Sequence, residues 1–199
     1  MKQLILGTKN KDKLRELESL LRGTKIEVRS LAEFPACPEA VEDGRTFEAN
    51  ARKKARAYSL FTGGLVLADD SGLMVYALNG KPGVYSARFA GENCTYQDNN
   101  AKLLRLLKKK HGLSRRAKFV SCMALYDQGK FVACVKGECY GTIALGAHGK
   151  NGFGYDPVFI PQGLTKTFGE LSSKKKNKIS HRSKALRQAK NKILAYFSK

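Results

Sequence analysis

Acidic residues and long apolar runs are scarce in this chain. Its 199 residues include 37 Lys and Arg but only 17 Asp and Glu, which gives a formal net charge of +20. No apolar stretch approaches the roughly 20 residues that a membrane-spanning helix needs, so we expect no membrane segment. Hydrophobic residues still make up 42% of the chain, enough for a core and unlike a disordered protein.

Paired cysteines are also lacking. The five cysteines are odd in number and show no C-x-x-C spacing of the kind found in zinc and redox sites. Cys122 and Cys134 lie in apolar segments typical of strands. These features favour free thiols in a reducing cytoplasm over disulfides. The apolar part of the N-terminal segment, residues 4–6, is too short for a signal peptide, so we expect a first strand there.

The sequence motifs of covalent catalysis are missing as well. The chain has no Gly-x-Ser-x-Gly elbow, no Cys/His pairing and no GxGxxG that opens a helix after a strand. Residues 8–13 lack the glycines of a Walker loop. They nevertheless join a predicted strand to a helix N-terminus, where backbone N–H groups and Lys13 suit a phosphate. A capped helix with surface lysines is the alternative interpretation of this segment.

The order of predicted elements is typical of an α/β fold. In the first half, strands at 4–6, 26–28 and 65–68 alternate with two helices. The first helix starts near Asn10 or Asp12, and the second runs from about Thr46 to Phe61. The second half has a helix at about 97–110, a hairpin at 119–126 and 131–136, further sheet at 138–143 and 158–160, and a final helix from near Ser180. We predict a single mixed-sheet domain over residues 1–199, with two lobes that flank an active-site cleft.

The most informative motif is Ala-Asp-Asp-Ser-Gly at residues 68–72, directly after the apolar stretch 65–67. Two adjacent carboxylates at a strand end, Asp69 and Asp70, can hold a divalent cation and orient a water molecule. Magnesium prefers one or two carboxylates together with substrate phosphates. Glu42, in the loop before the second helix, could join Asp70 at such a metal. An acidic turn and a solvated loop acid are the alternatives.

Two later segments carry groups suited to a nucleobase. Phe153 follows a glycine-rich loop and could stack on a purine, and Asp156 could accept a hydrogen bond from a base N–H. A core aromatic pair beside a capped turn is the alternative. His181 and Arg182 open the last helix, where the helix dipole disfavours basic residues. Their position indicates an anionic or keto-bearing ligand, and Ser180 before them suits an N-cap.

Six segments, taken together and in this order, resemble the inosine triphosphate pyrophosphatase family. The first three are Thr-x-Asn-x-x-Lys at 8–13, Glu-x-Gly-x-Thr-Phe at 42–47 with Asn50, Ala51 and Lys54, and Ala-Asp-Asp-Ser-Gly-Leu at 68–73. The others are Pro-Gly-Val-Tyr-Ser-Ala-Arg at 82–88, Gly-Phe-Gly-Tyr-Asp-Pro at 152–157 and Ser-His-Arg at 180–182. The similarity runs nearly end to end and implies an elongated α/β fold with a cleft between lobes.

This resemblance also implies an activity and roles for individual residues. The activity is hydrolysis of the non-standard purine nucleoside triphosphates ITP, dITP and XTP to the monophosphate and pyrophosphate, with Mg²⁺ as cofactor, in a homodimer. Asp70 is the implied catalytic residue, and the implied metal ligands are Glu42 and Asp70, with Asp69 as a further candidate. The implied substrate-binding residues on the triphosphate side are Thr8, Lys9, Asn10, Lys11, Asp12, Lys13, Lys54 and Ser71. Those on the base and sugar side are Phe153, Gly154, Tyr155, Asp156, Lys176, His181 and Arg182.

Two other functions remain open at this point. A related pyrophosphatase could act on modified pyrimidines such as dTTP or UTP, although the segments at 152–157 and 180–182 argue against it. Alternatively, the basic clusters at 108–110, 115–116 and 174–176 could bind nucleic acid, since a large positive charge attracts any polyanion. That function leaves Glu42, Asp69 and Asp70 unexplained. We therefore expect nucleic-acid binding to be weak and non-specific at most.

Overall fold

One mixed β-sheet with flanking helices forms the fold, as expected for the α/β class. The computed structural model describes residues 2–198, apart from the side chains of Asp12 and Leu113. The strands are β1 (Lys2–Leu6), β2 (Ile26–Ser30), β3 (Leu65–Val75), β4 (Arg116–Asp127), β5 (Lys130–Ile143) and β6 (Phe159–Pro161). Their order in the sheet is β2-β1-β3-β4-β5-β6. Strand β1 pairs in parallel with both β2 and β3, whereas β5 and β6 are antiparallel.

Five α-helices accompany these strands in the described part of the chain. They are α1 (Lys11–Leu21), α2 (Phe47–Thr62), α3 (Tyr96–Leu106), α4 (Ser173–Ile179) and α5 (His181–Phe197). Local capping explains where α2 begins and ends. Thr46 Oγ1 accepts a hydrogen bond from the Ala49 N–H at 3.1 Å, and Gly63 adopts the left-handed conformation at the C-cap. No helix among residues 2–198 is both long and apolar enough to cross a membrane.

Packing divides the chain into two compact units, which are the counterpart of the two expected lobes. The first unit contains residues up to Asp70, residues 121–136 and the chain from Lys184 onward. Its core joins the apolar faces of β1, α1 and α5, including Leu4, Leu17 and Ile193, all fully buried. A single domain over residues 1–199 remains a prediction.

The second unit contains residues 71–120 and 137–183. Its core combines Leu103 and Leu107 from the region of α3 with an aromatic cluster. In that cluster the ring centroid of Phe119 lies 4.7 Å from that of Phe159 and 6.1 Å from that of Phe168. Burial of large aromatic side chains is the main stabilising contribution available to a unit of this size.

Strand β3 differs from the prediction in a way that bears on function. It was expected to end at residue 68, but it continues through both aspartates to Val75, so the acidic motif lies inside a strand and not in a turn. Glycine at position 72 permits this extension, because a Cβ there would clash with Ser86 Oγ at 2.2 Å. Without that Cβ, Ser86 Oγ accepts a hydrogen bond from the Leu73 N–H at 2.9 Å. The buried side chains of Leu73 and Val75 then continue the apolar pattern.

Smaller differences concern the second half of the chain. Helix α3 ends at Leu106, four residues before the predicted end, and the predicted segments at 131–136 and 138–143 are one continuous strand. Helix α4 was not predicted, because its lysine-rich sequence has no apolar periodicity; Ser172 caps it. Phe197, the last residue of α5, is half-buried. All five cysteines are free, as expected.

Candidate active site

A cavity of about 310 Å³ in the first unit gathers half of the residues predicted on the triphosphate side, together with two of the predicted metal ligands. Position 7, directly after β1, requires glycine, because the Cβ of any other residue would lie 2.8 Å from Ala68 Cβ. The chain then turns into α1, and Thr8 Oγ1 accepts a hydrogen bond from the Asn10 N–H at 3.2 Å. The predicted site residues that line the cavity are Thr8, Lys9, Lys13, Glu42, Lys54 and Asp69.

Two lysines of this cavity are held by carboxylates. Lys13 Nζ donates to both oxygens of Asp69, at 2.8 and 3.0 Å, and the Asp69 side chain is only 5% exposed. Lys54 Nζ lies 3.1 Å from Glu42 Oε2, and its side chain is 12% exposed. Because both ammonium groups line the same polar cavity, they are suited to receive an anionic ligand.

Asp70 is oriented by a residue that the sequence analysis quoted in a motif but did not include in the site. Asn50 Nδ2 donates to Asp70 Oδ2 at 3.0 Å, and Asn50 Oδ1 accepts from the Gly44 N–H at 2.7 Å. Asn50 is 1% exposed, and a Cβ on Gly44 would lie 2.5 Å from its Oδ1. The sequence signal for this role was an asparagine near the start of a predicted helix, because asparagine is a poor helix former. The structure adds that the amide is buried and therefore needs hydrogen-bond partners.

The described carboxylates of the first unit do not form a cluster typical of an all-protein metal site. Among the described residues, no group of three or more His, Cys, Asp and Glu side chains could hold a metal ion. An all-protein calcium or zinc cage is therefore not formed by them. Mg²⁺ prefers one or two carboxylates, keeps several waters and takes the rest of its ligands from substrate phosphates, so the donor chemistry of Glu42 and Asp70 suits it, and their role as its ligands stays a prediction.

The second unit holds the predicted base-binding residues around Phe153. Its ring is 47% exposed, and Lys176 Nζ and Arg182 Cζ lie 4.8 and 5.9 Å from the ring centroid. Asp156 is 2% exposed and accepts hydrogen bonds from the Phe153 N–H at 2.8 Å and from Lys176 Nζ. Burial raises the pKa of the Asp156 carboxyl above its ordinary value, although Lys176 acts in the opposite direction.

Glycine is required in the loop that carries Phe153. Gly152 has a φ of +76° and a Cβ there would lie 2.0 Å from Asp156 Oδ2, and Gly154 has a φ of +62°. Both are left-handed conformations that other residues adopt at a cost in free energy. The exposed ring of Phe153 is thus presented by a loop of defined backbone conformation.

Two predicted base-site residues make contacts that anchor them in the second unit. Tyr155 is 4% exposed, and its hydroxyl donates to the Ser86 carbonyl at 2.9 Å; burial raises its pKa. His181 stacks on Phe119, with ring centroids 4.6 Å apart and an interplanar angle of 11°. A direct role of either residue at the base stays a prediction.

The remaining predicted residues fall in three places. Arg182, which is 8% exposed, donates from Nη2 to Ser71 Oγ at 3.2 Å in the second unit. Asn10 Oδ1 accepts from the Lys13 N–H at 3.2 Å, as a helix cap does. Lys11 is exposed in the first turn of α1, and the side chain of Asp12 lies outside the described part of the chain. Ser180 caps α5, accepting a hydrogen bond from the Ser183 N–H at 3.2 Å.

Known proteins are similar to this chain in sequence and in fold. The model of the Ham1 family matches residues 4–192. The dITP/XTP pyrophosphatase of Desulforamulus reducens is 49% identical over 187 residues, 94% of this chain and 93% of that protein. That of Bacillus anthracis is 47% identical over 199 residues, 99% of this chain and 98% of that protein. A HAM1 protein from Coxiella burnetii has a structure similar to this one, with a TM-score of 0.92 and 39% identity over the full length of both chains. The chain belongs to the Ham1 family.

Proposed function

We propose that this protein hydrolyses ITP, dITP and XTP to the nucleoside monophosphate and inorganic pyrophosphate. The observation that carries the proposal is the pair of residue sets described above. One set consists of lysines at a polar cavity and of Asp70, which directly follows the cavity residue Asp69 in β3 and is hydrogen-bonded by Asn50. The other set combines an exposed aromatic ring, Phe153, with buried polar groups. The near-complete match to relatives named dITP/XTP pyrophosphatase supports the same substrate class.

Lys13 and Lys54 contact the triphosphate in this proposal. Their carboxylate partners, Asp69 and Glu42, hold both ammonium groups at the cavity before any ligand arrives. Prepositioned cations stabilise the charge that develops on the departing pyrophosphate, and they do so without reorganisation during the reaction. Thr8 and the backbone N–H groups that precede α1 contribute further donors.

Asp70 orients the attacking water and accepts its proton. The hydrogen bond from Asn50 fixes the plane of the Asp70 carboxylate, so that its lone pairs keep one direction relative to β3. Glu42 and Asp70 are the proposed Mg²⁺ ligands. When bound, the metal supplies Lewis-acid activation of the phosphates and neutralises part of their charge.

Selection of the base is assigned to Phe153, Asp156, Lys176 and Arg182. The Phe153 ring stacks on the purine, a contact worth about 1–3 kcal/mol per base in single-strand binders. Arg182 and Lys176 are donors for a 6-keto oxygen, which inosine and xanthine carry and adenine lacks. A site that offers donors at that position rejects an amino group, because buried polar groups are then left unpaired.

Release of pyrophosphate from ITP, XTP, dTTP, GTP and ATP tests the proposal, with magnesium and with a chelator. We expect magnesium-dependent turnover of ITP and XTP well above that of GTP and ATP. Faster release from dTTP would favour the pyrimidine alternative. No release from any of the triphosphates would overturn the proposed function, and binding of nucleic acid with a steep salt dependence would then be measured.

We also propose a homodimer, which rests on the family resemblance, and a cytoplasmic location, which rests on the free cysteines and on the short apolar stretch at residues 4–6. Sedimentation velocity at several protein concentrations tests the first, and a single species with the mass of one chain would contradict it. Fractionation of cells that produce the tagged protein tests the second. Recovery in a membrane or extracellular fraction would contradict it.

A further inference from the structure

Two consecutive buried asparagines stand out in helix α3. Asn99 is 2% exposed and Asn100 is 7% exposed, although both lie inside the helix Tyr96–Leu106. Asparagine is a poor residue for a helix interior, and burial of an amide is unfavourable unless it is hydrogen-bonded. Neither residue helps to cap α3, since Thr95 and Asp98 form a complete capping box. The two amides must therefore be explained by what they contact outside the helix.

Asn99 is hydrogen-bonded to the end of the 3₁₀ turn Gly83–Arg88 and to the residues just after it. Its Oδ1 accepts from the Ala90 N–H at 2.7 Å, and its Nδ2 donates to the Ala87 carbonyl at 3.1 Å. Both polar atoms of this side chain are thus used on one loop. Ala87 belongs to the segment 82–88, to which the proposed mechanism assigns no role, and Ala90 lies just after it.

Asn100 acts on the loop that carries Phe153. Its Nδ2 donates to the Gly154 carbonyl at 3.0 Å, and Gly154 is the residue with a φ of +62°. Within the described part of the chain, Asn100 Oδ1 is buried and accepts no hydrogen bond. Rotation of the amide by 180° would bring that oxygen against the Gly154 carbonyl, so the donor orientation is fixed. Only the Nδ2 donor of this buried amide has a hydrogen-bond partner within the described part of the chain, which indicates that the contribution of Asn100 is its bond to the Gly154 carbonyl.

Helix α3 also meets the Phe153 ring itself. The ring of Tyr96, the first residue of α3, has its centroid 6.4 Å from that of Phe153. The loop is therefore held from α3 through the carbonyl of Gly154 and through the ring beside it. Further contacts of this loop are the hydrogen bond of Asp156 with the Phe153 N–H, that of Tyr155 with the Ser86 carbonyl, and the approach of Lys176 and Arg182 to the Phe153 ring.

We propose that Asn100 is a positioning residue for purine binding, acting through the Gly154 carbonyl on the orientation of Phe153. The inference rests on the proposed function, because it takes Phe153 as the residue that stacks on the base. Asn100 does not touch the substrate in this proposal. Its loss therefore weakens base binding and leaves the phosphate chemistry of the first unit intact.

Because the chain contains no tryptophan, a single tryptophan introduced by substitution can report on its surroundings by fluorescence without background. Phe153→Trp places one indole at the half-exposed ring position. Asn100→Asp in that background keeps the shape of the side chain and removes the donor, so that two acceptors face each other. We expect the emission of the ligand-free protein to shift and the affinity for inosine monophosphate to fall about tenfold, the effect of one lost hydrogen bond. The affinity should return as the pH falls toward about 5, because a buried carboxyl has a raised pKa and donates once protonated.

Gln97→Glu is the matched control, since it makes the same amide-to-carboxylate change at an exposed position of the same helix. It should leave the emission and the affinity unchanged. With Phe153 intact, Asn100→Asp should raise KM for ITP about tenfold and change kcat by less than about twofold. If Asn100→Asp does not fold, Asn100→Ala is measured in its place, with the same expectation except for the recovery at low pH.

The results separate this inference from the proposed function. If Asn100→Asp or its replacement binds inosine monophosphate as tightly as the Gln97→Glu control, the positioning role is overturned while the proposed function stands. If the wild-type chain releases no pyrophosphate from ITP, the proposed function fails. The emission of the ligand-free indole then still decides whether Asn100 sets the position of residue 153, and an unshifted spectrum would overturn that role too.

Discussion

Asn50 Nδ2 and Asp70 Oδ2 are joined by a hydrogen bond of 3.0 Å that links the beginning of α2 to the middle of β3. The same asparagine binds the Gly44 N–H, so one buried side chain connects the loop before α2 to the proposed catalytic carboxylate. Orientation of a carboxylate by a second, buried group is a common requirement for general-base catalysis, because geometry decides which proton it can reach.

Asn50→Ala is expected to lower kcat for ITP at least about tenfold with a smaller change in KM, because Asp70 loses its fixed orientation. Steady-state kinetics on ITP measure both constants. Arg56→Ala, at an exposed position of the same helix, is the control and should retain normal kinetics. An unchanged kcat for Asn50→Ala would show that Asp70 needs no such support.

Asp70→Asn is expected to reduce turnover by about three orders of magnitude, the range of general-base effects, while the chain stays folded. The new amide oxygen can still accept the hydrogen bond from Asn50, so the packing around β3 is retained. Single-turnover pyrophosphate release and a thermal melt measure the two quantities. Near-normal activity would rule out Asp70 as the catalytic residue.

Arg182→Ala is expected to lower the ratio of kcat/KM for ITP to that for ATP about tenfold, because the guanidinium is a donor for the 6-keto group. Inhibition by inorganic tripolyphosphate should change much less. Arg187→Ala, an exposed arginine of α5, is the control. If the ITP to ATP ratio stays the same, Arg182 does not read the base.

The pKa of Asp156, raised by burial, predicts the pH dependence of stability. A folded-state pKa above the unfolded value means that the folded chain binds this proton more tightly. The free energy of unfolding therefore falls as the pH rises from about 4, the unfolded pKa, through the higher folded pKa. Asp156→Asn removes this titration, so the stability of the wild type relative to the variant should decrease over that window. A relative stability that increases with pH would mean that Lys176 outweighs burial and lowers the pKa.

Cys122 is expected to resist alkylation in the native protein. Burial raises the pKa of its thiol to about 12, so the reactive thiolate is about one part in ten thousand at pH 8. Mass spectrometry after iodoacetamide treatment should find Cys122 unmodified in the native chain and modified in urea. Rapid modification in the native chain would show that this part of β4 opens frequently.

Features determined by neighbouring residues could be predicted from the sequence. The Thr46 cap, the Gly63 stop and the turn before Lys130 all depend on residues within a few positions. The length of β3 could not be predicted, because it depends on the contact between Gly72 and Ser86 in a separate segment.

The same limit applies to the candidate site. The resemblance supplied the residue types, and the structure brought six of them to one cavity. The support of Asp70 by Asn50 spans twenty positions, and that of Tyr155 by Ser86 spans 69. Such partners follow from how helices and strands pack, which periodicity and capping signals do not specify.

The hydrogen bonds described above for each set of polar side chains join residues of the same unit. Asp69 with Lys13 and Asp70 with Asn50 belong to the first unit, whereas Asp156 with Lys176 belongs to the second. Residues 152–156 take no part in the hydrogen bonds of Asp69 with Lys13 or of Asp70 with Asn50. In the proposed function, the residues that select the base are therefore different from those that hydrolyse the triphosphate. Substitutions in the loop 152–156 can change which bases are accepted, in evolution or by engineering, while Asp69 and Asp70 are kept.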